Sequence, residues 1–299
     1  MSENLIPTHA VLQFTSNLEL LLQEQGAKLR PFVDVKSGYV GKAASPVNQF
    51  GSVAMKKVTS RFTPKTPANA DTKRRWVSPE DFSLDQPLDP FDLQKTLEDP
   101  KGIYATNAGY AAGRQMDLSI ITAAFAVAKV GEQDDSSTES FDTAFSIAAT
   151  FGVGGGGENG MSVDKLIEGR RLLGLANVDL DMEEPTVVIG PTQEADLLRQ
   201  VQVTSADYSK SMVLDNGRVR RFLGNNFRIS NQLALESTDN RACIMFVKSG
   251  MHLGIWQEIA NDAHQRFDLE ANPWELTTTM SVGATRLQNG KVVRIYADE

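Results

Sequence analysis

The sequence has a single cysteine, Cys243, and three histidines, His9, His252 and His264. One cysteine excludes an internal disulfide and is typical of a protein made in a reducing compartment. It lies in the apolar run 242–247, where we expect a buried thiol rather than a nucleophile. The histidines have no metal-ligand spacing with one another or with the cysteine. The sequence therefore predicts neither a metal site nor a catalytic thiol.

Long apolar runs and a basic leader are also absent. No apolar run approaches the roughly 18 residues of a membrane span. The first residues, MSENLIPTHAVL, lack the basic region and cleavable apolar block of a signal peptide. The net charge is −8 and the pI is about 5.1, which argues against a protein that wraps nucleic acid. We therefore expect a protein made in a cytoplasm, with no membrane partner.

Recognisable catalytic motifs are missing, apart from one glycine run. Residues 152–157 match the pattern G-x-G-x-x-G, and Asp179 and Asp181 follow about twenty residues later, as in a dinucleotide fingerprint. The next helix is predicted to begin near Ser162, however, so the glycines would not open it. A flexible loop is the favoured interpretation. Solvated loop acids, rather than a divalent-cation site, are likewise favoured for Asp179, Asp181, Glu183 and Glu184. We predict no catalytic residue and no cofactor.

The most informative feature is a long segment, residues 34–88, with few apolar positions and no sustained period. Several prolines punctuate it: Pro46, Pro64, Pro67, Pro79 and Pro87. Loops beyond about 12–15 residues are uncommon inside a compact domain and are usually functional or disordered. The segment has little means of burying itself. We therefore expect it to be ordered by contacts outside its own chain, in a protein that binds copies of itself.

This segment is also polarised in charge. From Lys36 to Arg75 nearly every charge is positive, and from Glu80 to Asp99 nearly every charge is negative. Complementary charge steers association and sets register, so we expect the cations of one copy to meet the acids of the next. The alternatives are a solvated linker and a nucleic-acid tail, although such tails usually carry longer basic blocks. The predicted inter-subunit contact residues are Lys56, Lys57, Arg61, Lys65, Arg74, Arg75, Trp76, Glu80, Asp81 and Asp92.

Helix and strand signals mix along the chain without the regular βαβ order of a parallel sheet. The strongest is an alanine-rich helix at 103–129. Further helices are predicted at 8–25, at 91–97, after a cap at Ser162, and at 192–200 behind Pro191. Strands are predicted at 141–151, 185–190, 218–230 and 242–247. The turn Asn289-Gly290 predicts a closing hairpin between 276–287 and 291–296. The fold class is mixed α+β.

The order of these parts resembles the tailed-bacteriophage major capsid proteins of the Hong Kong 97 type. The local resemblances lie at Ser162–Gln200 and Cys243–Glu299, which include MHLGIW at 251–256 and SVGATR at 281–286. The resemblance implies a Hong Kong 97-type capsid fold. Its parts would be an N-terminal arm at 1–33, an extended loop at 34–88, a peripheral domain at 89–181 and 257–299 with a spine helix at 103–129, and an axial domain at 182–256.

The same resemblance implies a structural protein rather than an enzyme. Copies would assemble into the pentamers and hexamers of an icosahedral shell around double-stranded DNA, bound without sequence specificity. Portal, scaffolding and decoration proteins would be further partners. The protein would be assembled in the host cytoplasm and reside in the virion capsid. Two alternatives remain: an encapsulin-type nanocompartment shell, and a nucleotide-binding enzyme that uses the glycine loop at 152–157.

Overall fold

The computed structural model describes residues 23–46, 48–57, 67–88, 101–132, 137–152, 159–200, 214–215, 218–236, 239–270 and 272–299. The predicted helix at 91–97 and most of that at 8–25 lie outside these ranges. So do the predicted contact residues Arg61, Lys65 and Asp92. Within the described ranges, no helix is both long and apolar enough to cross a bilayer.

One long helix, α1 (Lys101–Phe125), corresponds to the helix predicted at 103–129. Alanine and other strong helix formers fill it, and at 1.5 Å per residue it spans roughly 37 Å. It ends earlier than predicted because the chain turns into strand β5 (Ala128–Val130), which pairs with strands on both sides. The tertiary pairing of this strand therefore overrides the helical propensity of its residues.

The helix packs on a four-stranded sheet, called here the long sheet. Its strands, in spatial order, are β1 (Asp34–Ser37), β14 (Met251–Gln265), β15 (Trp274–Arg286) and β4 (Glu80–Leu88). β1 runs parallel to β14, and the other pairs are antiparallel. Because side chains alternate across a strand, Phe82, Leu84 and Met280 share the face that meets Ala108 and Ala112 of α1.

A six-stranded sheet holds much of the buried core. Its strands, in spatial order, are β11 (Arg221–Phe222), β12 (Asn225–Ile229), β8 (Thr186–Ile189), β13 (Asn240–Phe246), β16 (Val292–Asp298) and β7 (Ser146–Ile147). Strand β8 is buried at every position, as its continuous apolar run predicts. Cys243 on β13 is buried as predicted, and burial raises the pKa of its thiol to about 12.

Helices α2 (Val163–Leu175) and α3 (Pro191–Arg199) complete this part of the chain. The predicted cap is confirmed, because the Ser162 hydroxyl accepts the N–H of Lys165 at 3.3 Å. The helix begins at Val163, so none of the glycines at 152–157 lies in its first turn. α2 lies close to β13, since a Cβ added at Gly169 would meet the Met245 sulfur at 2.9 Å.

Two small sheets remain. One has the order β2 (Asn48–Phe50), β3 (Thr72–Trp76), β5 and β6 (Thr138–Glu139), and the other pairs β9 (Leu214–Asp215) with β10 (Arg218–Val219). β2 and β3 form an antiparallel pair, which Gly51 extends by donating its N–H to the Asp71 carbonyl at 2.6 Å. We call this pair, together with the described residues 51–57 that follow β2, the loop hairpin; it carries the central part of the predicted extended loop.

The predicted C-terminal hairpin is wrong. β15 pairs with β14 and β4 in the long sheet, whereas β16 pairs with β13 and β7 in the six-stranded sheet. Between them Asn289–Lys291 forms a 3₁₀ turn rather than a hairpin turn. Both edges of each strand are already paired with other strands, so the local Asn-Gly signal is overridden.

Two other expectations need correction. Of the strand predicted at 141–151, only Ser146–Ile147 forms, because Asp142 caps a 3₁₀ turn at Thr143–Phe145 by accepting the N–H of Ala144. The segment 34–88 is also less exposed than expected, since Trp76 and Val77 are buried. Its C-terminal strand, β4, forms an edge of the long sheet, so this part of the segment is ordered within its own chain.

Candidate inter-subunit surfaces

Both strands of the loop hairpin are fastened to one backbone carbonyl. The Gln49 side chain on β2 and the Arg75 Nε on β3 each donate to the Leu287 carbonyl at 2.7 Å. The Trp76 indole adds a bond to the Gly131 carbonyl at 2.9 Å. These bonds fix the base of the hairpin against the turn that joins the two large sheets. The outer part of the hairpin is exposed.

A buried arginine joins this turn to the end of the spine helix. Arg286 is 0% exposed and donates to the Ala124 and Ala126 carbonyls at 2.7 and 3.0 Å and to the Asn289 side chain at 2.6 Å. Burial lowers the pKa of its guanidinium to about 10. Asn289 also donates to the Glu139 carboxylate at 2.7 Å. The last carbonyls of the helix, which have no partner within it, are satisfied here by a side chain.

The N-terminal end of the segment 34–88 is held by a second buried side chain, that of His252. His252 on β14 is 1% exposed; its Nδ1 lies 2.8 Å from the Asp34 carboxylate, and its Nε2 lies 3.0 Å from the Tyr39 hydroxyl. Burial lowers the pKa of His252, and the bond to Asp34 opposes this effect. The Trp256 indole packs against Tyr39 and donates to the Gly41 carbonyl at 2.9 Å. We call this arrangement the histidine latch.

The arm that precedes the latch is anchored on the spine helix. The buried carboxylate of Asp117 accepts the backbone N–H groups of Lys28 and Leu29 at 2.8 and 3.0 Å. Burial raises the pKa of Asp117. The chain crosses the helix so closely that a Cβ at Gly113 would lie 2.6 Å from Gly26. Only glycine fits at this crossing without a shift of the backbone.

The loop hairpin presents apolar and basic side chains to solvent. Phe50, Val53 and Met55 are exposed, and Lys56 and Lys57 follow them directly and are exposed as well. Large apolar side chains exposed together on a projection are typical of contact surfaces. The described part of the hairpin therefore has the composition of a segment that docks on a partner.

An acidic surface lies on the long sheet, on the side turned away from α1. In the strand register Asp85 and Asp262 both stand opposite Thr277, and Asp81 stands opposite Ser281. Cross-strand neighbours share one face, so these three acids lie together. All three are exposed. We call Asp81, Asp85 and Asp262 the acid face; sequence reasoning missed Asp262 because only the register places it on the same face as Asp85, across β15.

The edges of the long sheet are less suited to docking than this face. Strand β14 has two register shifts just after the residues that pair with β1, between Ile255 and Gln257 and between Gln257 and Ala260. Strand β4 carries Pro87 and two acids of the acid face. Irregularities, proline and charge on an outer strand discourage further strand pairing. A partner is therefore expected on the face of the sheet.

The predicted contact residues fall into two groups. Lys56, Lys57 and Arg74 are exposed on the hairpin, and Glu80 and Asp81 are exposed on β4. In contrast, Arg75 is 2% exposed and its Nη2 donates to the Glu139 carboxylate at 2.6 Å, while Trp76 is buried beside it. No described ion pair joins the hairpin cations to Glu80 or Asp81. Arg75 and Trp76 thus hold the base of the hairpin within one chain, and any contact they make with a neighbour stays a prediction.

Residues 6–299 match the family model described as "Phage capsid protein". The chain belongs to this family. No curated protein matches the sequence. The match runs from the N-terminal arm through both large sheets, so the loop hairpin, the acid face and the histidine latch are all features of a phage capsid protein.

Solved phage capsids share the fold. The capsid structure of the cyanophage P-SCSP1u aligns with a TM-score of 0.71 at 15% identity, over 97% of this chain and 94% of that one. Mycobacterium phage Che8 gives 0.68 at 14% identity, over 96% and 97%. The capsid of a native GTA particle gives 0.68 at 11% identity, over 97% and 96%.

These matches confirm the predicted Hong Kong 97-type α+β fold and the role of a structural shell subunit of the virion capsid. The family and the fold are those of structural capsid proteins and not of enzymes. The nanocompartment alternative receives no support from them. The nucleotide-binding alternative also fails structurally, since the glycine run does not open α2.

Proposed function

We propose that this capsid protein forms the pentamers and hexamers of a closed icosahedral shell in which each loop hairpin docks on a neighbouring subunit. Heterologous, head-to-tail contacts close into rings when the rotation permits. The similar GTA capsid was computed with C5 symmetry, which supports a fivefold arrangement here. The domain division predicted from the sequence is part of the proposal: arm 1–33, extended loop 34–88, peripheral domain 89–181 and 257–299, and axial domain 182–256.

The docking proposal rests on one observation: the chain has two exposed surfaces of opposite charge. Lys56, Lys57 and Arg74 stand exposed on the hairpin, and the acid face stands uncovered on the long sheet. Placed together across an interface, the two surfaces would neutralise each other and set the register of the subunits. Arg61, Lys65 and Asp92 belong to the same proposed contact by their place in the sequence.

The shell would enclose double-stranded DNA without sequence-specific contacts. The net charge of −8 supports this, because an acidic lining repels phosphate and lets DNA pack without adhering. We further propose assembly in the host cytoplasm, with portal, scaffolding and decoration proteins as partners. These partners follow from the family resemblance, and no membrane partner is proposed.

A charge-swap experiment tests the docking. One variant carries Lys56→Glu and Lys57→Glu, and a second carries Asp81→Lys and Asp85→Lys. Each alone should lose shell assembly, as seen by size-exclusion chromatography and negative-stain microscopy, because like charges would face each other. Combining all four changes should restore shells. The rescue should be strongest at low salt, where exposed charges are least screened.

The matched control replaces two exposed acids elsewhere, with Asp179→Lys and Asp181→Lys. This pair should not restore assembly to the Lys56→Glu and Lys57→Glu variant. If the Asp81 and Asp85 changes fail to rescue assembly, or rescue it no better than the control pair, the docking proposal is wrong. If the unmodified chain forms no closed shell, the shell itself is not supported.

A further inference from the structure

A groove of about 310 Å³ runs between the C-terminal half of α1 and the chain that joins β3 to β4. Its walls are apolar and polar in similar measure: Trp76 and Val77 lie on one side, and Leu118 and Val127 lie on the other beside Thr122. The short alanine side chains of the helix leave the space unfilled. Leu118 is 38% exposed and Val127 is 59% exposed, so apolar surface faces solvent along the groove. We call it the spine groove.

The rim of the spine groove is charged. Glu80 lines it and is exposed, on the side of β4 opposite to Asp81. It has no hydrogen-bond or ion-pair partner among the described residues. Lys129 also lines the groove and is exposed. The groove thus offers exposed apolar side chains beside an acid and a base at its rim, and an apolar side chain followed by a cation suits the part that Glu80 borders.

The loop hairpin carries that combination. Met55 is fully exposed, and Lys56 and Lys57 follow it directly. An unbranched thioether side chain adapts to irregular apolar gaps, which makes methionine common at contact surfaces. Among the described residues, the Met55 side chain is fully exposed and the groove is open. The groove is therefore open to a side chain from another chain.

We propose that the spine groove of one subunit receives Met55 from the loop hairpin of a second copy, with Lys56 or Lys57 pairing with Glu80. This contact rests on the proposed docking of the hairpin and specifies its apolar anchor. Glu80 and Asp81 lie on opposite sides of the edge strand β4, and consecutive side chains of an extended segment point to opposite sides, so one of the two lysines pairs with Glu80 at the groove while the other reaches the acid face. The groove holds the hairpin by burial of apolar surface. Anchoring residues at interfaces typically fill such pockets inside a polar rim.

A mixed cross-linking experiment tests the anchor. One preparation carries Met55→Cys, and a second, of different mass, carries Val127→Cys; the native Cys243 is buried and its thiolate is suppressed. The two are co-assembled and treated with a short bismaleimide. The matched control replaces Val127→Cys by Ile167→Cys, an exposed apolar position on α2. We expect the mixed-mass product to be roughly tenfold more abundant with position 127 than with position 167.

Substitutions at the anchor give an independent measurement. Met55→Asp should raise the subunit concentration needed for half-maximal assembly by roughly tenfold, as expected for losing one buried apolar side chain. Met55→Leu should change it by less than about twofold, since volume-conserving swaps are tolerated. Leu118→Trp, which fills the groove, should act like Met55→Asp.

The outcomes separate this inference from the function on which it rests. Closed shells without preferential linkage between positions 55 and 127 would overturn the anchor and leave the shell function standing. Equal assembly by Met55→Asp and Met55→Leu would overturn it as well. Failure of the unmodified chain to form any shell would instead count against the proposed function.

Discussion

Replacing Arg286 by methionine should destabilise the subunit more than the same replacement of a surface arginine does. Methionine keeps much of the apolar stem but removes every donor. The Ala124 and Ala126 carbonyls and the Asn289 side-chain oxygen would lose partners that lie within 3.0 Å. Arg286 and Ala124 are buried and the other two acceptors are partly buried, so water replaces the lost donors only in part.

The magnitude follows from two opposing effects. An acceptor left without its partner costs about 1–3 kcal/mol, more when it is buried as at Ala124 than when it is partly buried, so the three together cost about 6 kcal/mol. Removing the charge offsets part of this loss, because burial disfavours the guanidinium and lowers its pKa to about 10, which corresponds to about 3 kcal/mol. The free energy of unfolding should therefore fall by about 3 kcal/mol. For a chain of this size the urea midpoint should drop by about 1 M.

The measurement is urea unfolding of the unassembled subunit, followed by tryptophan fluorescence; Trp76 lies buried at the same junction. The control is Arg171→Met on α2, which removes an exposed pair with Glu168 at 2.6 Å. Surface pairs contribute about 0–1 kcal/mol, so this midpoint should hardly move. Equal midpoints for the two variants would refute the claim that Arg286 holds the helix end and the turn together.

Two further predictions concern buried titratable groups. Burial lowers the pKa of His252, so the released state of the histidine latch binds more protons than the latched state. As the pH falls below about 6.5, amides at 34–41 should lose protection from hydrogen exchange, after correction for intrinsic rates. His252→Gln should abolish this dependence, and unchanged protection at about pH 5 would contradict it. Separately, the Cys243 thiol, with a pKa raised to about 12, should react with iodoacetamide at about pH 8 only after unfolding, so rapid labelling of the folded chain would show that it is not buried.

Local signals in the sequence predicted the elements whose stability is itself local. The alanine-rich stretch predicted α1, and the Ser162 cap with its following apolar spacing predicted α2. The apolar run after Pro185 predicted the fully buried strand β8. Each of these depends on propensity, capping or burial within one short stretch.

Predictions failed where a distant strand decided the outcome. The residues Asn289-Gly290 are typical of a hairpin turn, but the two strands that flank them pair in different sheets. The helix predicted to reach Lys129 stops earlier because β5 pairs with β3 and β6. A short stretch of sequence does not show which distant strands will pair with it. The free energy of that pairing outweighs the local preference, so local patterns alone do not predict the outcome.

The candidate surfaces also depend partly on the sequence alone and partly on the tertiary structure. The sequence by itself determined the charge split between Lys36–Arg75 and Glu80–Asp99, the lean composition of 34–88 and the absence of catalytic chemistry. Only the tertiary structure decided that Arg75 pairs within its own chain, that Asp262 shares a sheet face with Asp85, and that a groove opens along α1. Composition and charge belong to the residues, whereas burial, register and cavities arise from pairings between residues as far apart as Arg75 and Leu287.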